Sequence, residues 1–176
     1  MNIDGLGEAQ LAAMISNGLV STPSDLYYLR KEELSGLERM GDKSASNIIN
    51  AIENSKTSGL DRLIYALGIR QVGEKASKLL AEHFGDIDRL SAASVGELCE
   101  INDIGEITAG NIVNFFSHPQ TAELINNLKN AGVLTVYESD KADPRFSGMT
   151  FVLTGTLPSL KRDEASALIE RYGGKT

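Results

Sequence analysis

The sequence predicts a mostly α-helical protein with four helix–turn–helix units, followed by an incomplete α/β segment. Two observations lead to this prediction. A six-residue pattern recurs four times within the first 106 residues, and apolar residues at helical spacing follow each copy. Near the end of the chain, one apolar run and one amphipathic helix are too few elements to enclose a core of their own.

The recurring pattern reads apolar, two variable residues, apolar, glycine, acid. It covers residues 3–8, 37–42, 69–74 and 101–106, which we call corners 1 to 4. The glycines are spaced by 34, 32 and 32 residues. Seven positions after each glycine lie Met14, Ile48, Leu80 and Ile112, and seven before the last three lie Leu34, Ala66 and Leu98. Agreement at this many positions indicates a structural repeat.

Each unit is predicted to be a short helix, a tight turn and a longer helix. The short helices are expected over 31–36, 60–67 and 94–100, and the longer ones begin with the acid that follows each glycine. The central apolar residues of the corners, expected to pack between the helices, are Leu6, Met40, Val72 and Ile104. Cys99 is expected to be a buried thiol. Residues 1–6 follow no leading helix and are expected to be poorly anchored or to borrow contacts from a neighbouring molecule.

Between and after these units, cap and turn residues predict smaller elements. One short helix is expected to begin at Ser24 or at Thr22-Pro23 and to run through Leu29, and others are expected over 86–90 and 120–131. Residues 133–137 fit a short strand or an extended segment. The domain prediction is therefore a helical domain over 1–137, a polar linker over 138–147 and an α/β segment over 148–176. In that segment, residues 149–154 fit a buried strand, and 161–172 fit a helix stopped by Gly173 and Gly174.

Composition limits the class of protein. The chain has 17 basic and 24 acidic side chains, for a formal net charge of −7, and 41% apolar residues. These values exclude a disordered polyelectrolyte, and no apolar run is long enough to span a bilayer. No signal peptide is visible, and one cysteine excludes a disulfide framework or a cysteine-rich zinc site within this chain. The prediction is a cytoplasmic protein with no membrane partner, and the acidic balance argues mildly against nucleic acid.

The corners nevertheless favour an anion. Amides at a helix N-terminus lack intrahelical acceptors and lie at the positive end of the dipole, where a phosphate binds well. Such contacts hold the backbone of a nucleic acid without reading its bases. The predicted contact residues are Gly5, Gly7, Arg39, Gly41, Lys43, Arg70, Gly73, Lys75, Lys78, Gly105 and Thr108.

Plainer interpretations stay open at this point. Glycine turns between helices also serve as packing units or bind proteins, and the five basic residues could be ordinary solvated side chains. His83 and His118 are expected at helix surfaces or ends. No nucleotide-binding loop, metal-binding pattern or catalytic constellation is visible, so we expect no active site and no metal in this chain.

The corners resemble the helix-hairpin-helix motif, and four in tandem resemble the corresponding domain of bacterial NAD-dependent DNA ligases. The segments that carry the resemblance are 3–8, 37–45 and 66–74. Residues 151–157, with Arg162 and the two glycines at 173–174, resemble the start of the BRCT domain that ends those ligases. The resemblance covers essentially the whole chain and implies that it is a C-terminal fragment of such a ligase.

This resemblance implies an enzyme that seals nicks in duplex DNA during replication and repair, using NAD, magnesium and a structural zinc. The resemblance places the regions that hold NAD, magnesium and zinc outside this sequence. The chain alone is therefore expected to bind nicked duplex DNA and other ligase domains, with no cofactor and no ligase activity. A nucleoid-associated location in a bacterium follows. Two departures weaken the match: Arg39, Gln71 and Asp103 replace the first glycine of the family's turn, and Asp103 places a negative charge at corner 4. The alternatives are a protein-docking scaffold, a repair nuclease, and a phosphopeptide site at Thr154 and Gly155.

Overall fold

The computed structural model describes residues 1–38, 40–137, 144–146, 148–153 and 162–176. Contacts divide the chain into two units, residues 1–137 and 138–176. The first unit contains a 3₁₀ helix (Pro23–Tyr28) and the helices α1 (Glu8–Ser16), α2 (Lys31–Ser35), α3 (Asp42–Ser55), α4 (Leu60–Ala66), α5 (Glu74–Phe84), α6 (Ile87–Ser91), α7 (Val95–Cys99), α8 (Glu106–Ser117) and α9 (Pro119–Asn130). Among the described residues, none of the helices combines the length and apolarity needed to cross a bilayer.

The predicted repeat determines which residues are buried. Met14, Ile48, Leu80 and Ile112 are at most 2% exposed, and Leu34 and Leu98 are fully buried. Ala66 is an exception, because it is exposed. Helix α4 ends at Ala66, and the chain then turns through Gly68 at φ +66°. The buried residues of this helix are Leu60, Leu63 and Ile64 instead.

The buried residues of the first unit form two clusters. One cluster lies among α1, α2 and α3 and is built on Met14, Val20, Leu34, Leu37, Ala45, Ile48 and Ile52. The other extends from α4 to the segment after α9 and includes Leu63, Val72, Leu80, Ile104, Ile112 and Leu128. Tyr27 packs against both clusters. Each cluster therefore encloses two corners, 1 and 2 in the first and 3 and 4 in the second.

Helix α9 and residues 133–137 connect the two halves of this unit. The Tyr28 hydroxyl donates to the carbonyl of Asn127 at 2.9 Å, and the Leu134 amide donates to the carbonyl of Lys56 at 2.8 Å. Val136 forms an isolated antiparallel bridge with Asp86. Residues 133–137 are thus an extended segment that joins one bridge, which settles the open choice between strand and extended chain.

Two predictions about the first unit are wrong. Cys99 is exposed, because α7 has only five residues and directs the neighbouring Leu98 into the core. The chain start is also anchored, since Ile3 and Leu6 pack against the first cluster and Met1 packs against the second.

The second unit is a small assembly around aromatic side chains. Helix α10 (Arg162–Arg171) is followed by Gly173 at φ +79°, which ends the helix as predicted. Residues 144–146, inside the predicted linker, form a 3₁₀ turn whose Phe146 ring contacts Phe151 and Tyr172. Within the predicted strand, Thr150 forms a parallel bridge with Lys175, and residues 154–160 lie outside the described part.

Side-chain caps begin several elements of the first unit. Asp86 accepts from the Asp88 amide, and Ser94 accepts from the Glu97 amide. Before the 3₁₀ helix, the Asp25 carboxylate accepts from the amides of Thr22 at 2.7 Å and Ser21 at 2.8 Å. These hydrogen bonds, the one from Thr22 first, lower the pKa of Asp25 below its ordinary 3.8.

This cap predicts a pH-dependent stability difference. A carboxyl whose pKa is lowered by folding stabilises the protein fully above its ordinary pKa and loses that effect as the pH falls through the lowered value. We therefore expect Asp25→Asn to lower the thermal midpoint at pH 7 and the difference to narrow as the pH falls below 3.8. Melting curves from pH 7 to pH 2.5 measure this. Glu123→Gln, on α9, is the control, and a difference for Asp25→Asn that does not change with pH would contradict the prediction.

Candidate nucleic-acid interface

The four corners share one set of main-chain hydrogen bonds. In each corner the amide of the central apolar residue donates to the carbonyl three residues earlier, at 3.2, 3.1, 3.0 and 3.1 Å for Leu6, Met40, Val72 and Ile104. The carbonyl of the following glycine then accepts the first hydrogen bond of the next helix, at 2.9–3.0 Å in every case. The sequence repeat is therefore a repeat of backbone geometry.

In corners 1, 3 and 4 the chain reverses direction through a left-handed residue two positions before the glycine. Gly5, Gln71 and Asp103 have φ values of +80°, +65° and +70°, in the left-handed region. Arg39, at the same place in corner 2, lies outside the described residues. Glycine adopts this conformation without strain, whereas a side chain makes it costly. Corners 3 and 4 thus accept strain that corner 1 avoids.

The glycines that end the corners have no such backbone requirement. Gly7, Gly41, Gly73 and Gly105 have φ between −82° and −90° and extended ψ, which any residue adopts. All four are exposed. A Cβ atom at Gly41, Gly73 or Gly105 would meet nothing within 4 Å. Among the described residues, nothing in the chain itself explains glycine at these three positions.

Other glycines show the contrast. Gly59 begins α4 at φ +97°, where glycine relieves backbone strain. A Cβ atom at Gly174 would lie 2.7 Å from Ile169 Cγ2, so packing excludes a side chain there. The corner glycines instead leave open space beside a helix N-terminus.

The helices that follow the corners begin without side-chain caps. Gly7, Gly41, Gly73 and Gly105 are the N-cap residues of α1, α3, α5 and α8, and none provides a capping hydrogen bond from a side chain. Helices α6 and α7 of the same unit are capped by Asp86 and Ser94. The first amides of an α-helix have no intrahelical acceptor. An exposed corner therefore offers main-chain donors to an external anion.

Corners 3 and 4 contact each other. The Asn111 side chain, on α8, donates to the Arg70 carbonyl at 3.2 Å. Lys75, in the first turn of α5, forms an ion pair with Asp103 of corner 4, with 2.6 Å between Nζ and Oδ2. Side chains thus bridge from each hairpin of this pair to the corner of the other.

Corners 1 and 2 are arranged in a related way. A Cβ atom built on Gly5 would lie 3.4 Å from Ile48 Cγ1 on α3. A groove of about 770 Å³ is lined by Gly5, Met40 and Asn47. Asn47 follows Gly41 by six positions, as Asn111 follows Gly105. In each pair, the helix after the second corner therefore lies beside the first corner.

The predicted basic contacts lie on the surface near the corners. Lys43, Arg70, Lys75 and Lys78 are exposed, whereas Thr108 is half-buried. Lys75 and Lys78 line a groove with Arg62, which the sequence analysis did not single out and whose Nη1 lies 2.6 Å from Glu74 Oε1. No sequence signal marked Arg62, because it belongs to α4 and reaches the first turn of α5 only in the folded chain.

Corners 1 and 4 have fewer basic residues nearby than corners 2 and 3, and residues 1–29 contain no lysine or arginine. Residues 90–128 contain five acids and no lysine or arginine. The second residue after the glycine of corner 4 is Ile107, which is 73% exposed. The corresponding positions after corners 2 and 3 hold Lys43 and Lys75.

Evidence for other chemistry is lacking among the described residues. Nowhere in that part of the chain do three His, Cys, Asp or Glu side chains gather in a way that could hold a metal ion. His83 and His118 are exposed near helix ends, as the sequence predicts.

Comparison with known families matches this division of the chain. Residues 1–54 match the family described as SAM-like Helix-hairpin-helix tandem, and residues 62–125 match the Helix-hairpin-helix motif. Residues 141–176 match the BRCA1 C Terminus (BRCT) domain. The mostly helical class and the BRCT segment are therefore confirmed, and the two helix-hairpin-helix matches coincide with the two pairs of corners.

Curated relatives agree along the full sequence. Proteins named DNA ligase are 51% identical in Carboxydothermus hydrogenoformans, 47% in Clostridioides difficile and 48% in a Thermoanaerobacter species. Each alignment covers 99% of this chain and 26–27% of the relative. The chain thus spans about a quarter of the length of the curated relatives that it matches.

The left-handed corner residue predicts an order of stability at position 71. Gln71→Gly and Gln71→Ala both remove the side chain, but only glycine relieves the strain at φ +65°. We expect the glycine variant to be about 1 kcal/mol more stable than the alanine variant. Urea unfolding measures the difference. The same two substitutions at Glu123, inside α9, are the control and should give the opposite order. Equal stability of the two variants at position 71 would contradict the prediction.

Proposed function

The chain belongs to the bacterial DNA ligase family, and we propose that it provides a non-catalytic, sequence-independent grip on duplex DNA. In this proposal the four corners are four helix-hairpin-helix motifs, and each directs main-chain amides at a phosphate. The observation that carries the proposal is the exposed glycine at corners 2, 3 and 4, which neither backbone conformation nor packing among the described residues explains.

Close approach of a ligand accounts for these glycines. A phosphate oxygen must come within about 3 Å of an amide nitrogen to accept a hydrogen bond. A side chain on the N-cap residue would occupy that space or bond to the same amides. The open space at Gly41, Gly73 and Gly105 therefore supports contact with an external backbone rather than a structural role.

Main-chain donors also explain how an acidic chain can bind an anion. The net charge of −7 opposes DNA at long range, but local dipoles at the corners attract phosphate at short range. Arg70, Lys43 and Lys78 add charge beside the corners. Contacts of this kind fix the position of the duplex without reading bases. We propose that the paired corners straddle the minor groove of nicked DNA and let the ligase encircle its substrate.

The whole protein's reaction is part of this proposal. We propose that it seals nicks in replication and repair with NAD, magnesium and a structural zinc held by other parts of the ligase. The chain itself would need none of these to bind DNA, and we expect no ligation from it alone. Other ligase domains are proposed partners, and a nucleoid-associated location follows from the substrate. Thr154 and Gly155, considered for phosphopeptide binding, lie outside the described residues.

A second candidate function is protein docking, favoured by one observation. Ile107 is 73% exposed at corner 4, within a stretch that has no basic residue. An apolar side chain among acids suits a protein surface better than a DNA backbone. This candidate requires negligible DNA affinity of the chain in isolation, so the experiments below separate the two.

The proposed phosphate contacts at the corner glycines predict that one substitution changes stability and DNA binding differently. Asparagine is a favourable N-cap residue, so Gly41→Asn and Gly73→Asn should leave the stability equal or a few tenths of a kcal/mol higher. DNA affinity should fall about tenfold or more per corner, because a hydrogen bond to a charged group is worth about 1.5–3 kcal/mol. Fluorescence anisotropy with a labelled nicked duplex, together with thermal melting, measures both quantities.

The same substitution at the far end of α5 is the matched control. Gly85 has φ +70° and ends that helix. Gly85→Asn should bind DNA like the parent. If Gly41→Asn and Gly73→Asn also bind like the parent, the main-chain mechanism is wrong.

The proposal further predicts little sequence preference and a modest salt dependence. Each neutralised phosphate contributes about 0.9 to the slope of log K against log salt concentration. With few basic side chains at the corners, we expect a slope magnitude of about 2 to 4. Anisotropy titrations with two unrelated duplex sequences from 50 to 200 mM salt test this, and a large difference between the sequences would oppose backbone recognition.

A further inference from the structure

Corner 4 holds the lysine that follows corner 3. Lys75 Nζ lies 2.6 Å from Asp103 Oδ2, although the two residues are 28 positions apart in the sequence. The side chains are 81% and 61% exposed, so the pair lies on the surface. In the proposed binding mode this lysine stands beside corner 3, where a phosphate would approach Gly73.

The nearby chain makes this pair distinctive. No lysine or arginine occurs over residues 90–128, and position 107 is isoleucine. Asp103 is the left-handed residue of its corner, at φ +70°, where corner 1 has glycine. Its carboxylate thus belongs to corner 4 itself and contacts the lysine that follows corner 3.

We propose that Asp103 limits the affinity and the salt dependence of DNA binding by cancelling the charge of Lys75. The inference rests on the proposed function and concerns the same surface. An ion pair of lysine and aspartate presents no net charge to a polyanion, so Lys75 adds no net neutralised phosphate. Corners 3 and 4 then hold DNA through main-chain donors and the remaining basic side chains, and corner 4 contributes least.

The direct test is Asp103→Asn in the 176-residue chain. Asparagine tolerates the left-handed conformation, so the corner is expected to fold unchanged. Removing the carboxylate should raise affinity for a nicked duplex about three- to tenfold at 50 mM salt. The salt slope should steepen by about 0.9, so that the gain shrinks about 3.5-fold between 50 and 200 mM.

Two controls separate the pair from overall charge. Glu123→Gln removes one negative charge on α9 and should change affinity less than twofold. The double variant Lys75→Gln with Asp103→Asn replaces the pair by neutral side chains, and it should keep the parent's affinity within about twofold and the parent's slope. Circular dichroism and thermal melting confirm that each variant is folded.

The outcomes distinguish this inference from the proposed function. Stronger binding and a steeper slope for Asp103→Asn support it. Equal or weaker binding by that variant overturns it, and so does a salt slope reduced by about 0.9 in the double variant. In both cases the proposed function stands as long as the parent binds a duplex. If neither the parent nor Asp103→Asn binds a duplex, both fail.

Discussion

One main-chain hydrogen bond closes each corner, from the amide of the central apolar residue to the carbonyl three residues earlier. In corners 1, 3 and 4 the bond occurs with a left-handed residue directly before the central apolar residue, and the glycine that follows is extended. The same apolar residue packs inward, so burial and the hydrogen bond stabilise one conformation together. The exposed amides at the next helix start follow from that geometry and need no flexible loop to present them.

Charge and geometry act on different length scales in this protein. The net charge opposes a polyanion at a distance, whereas the helix N-termini act within a few ångströms. The basic side chains are unevenly distributed, since those near corner 3 include Arg62, Arg70 and Lys78, whereas residues 90–128 contain no lysine or arginine. The four corners therefore share one pattern of main-chain hydrogen bonds but differ in nearby charge. They need not contribute equally to binding.

The repeat made most of the helical architecture predictable. Fixed spacing from each glycine identified the core residues Met14, Ile48, Leu80 and Ile112, and helix ends agree within one residue for α2, α4 and α7. The repeat does not hold for burial at Ala66, the last residue of α4, where the chain leaves the helix through the left-handed Gly68. It also failed at Cys99, because a five-residue helix buries only one side chain. The pairing of corners, the position of Arg62 and the Lys75–Asp103 ion pair depend on which hairpins meet, and no local pattern encodes that choice.

The contacts of α9 and residues 133–137 have a consequence for association. Tyr28 reaches Asn127, and Leu134 reaches Lys56, so elements outside the hairpins tie the first half of the unit to the second. These contacts thereby fix the distances between the amides of the first pair of corners and those of the second pair. A rigid arrangement loses little conformational entropy when it binds a ligand. In the proposed function it would also discriminate by shape, since a polymer whose anionic groups repeat at another interval could align with one pair of corners but not with both.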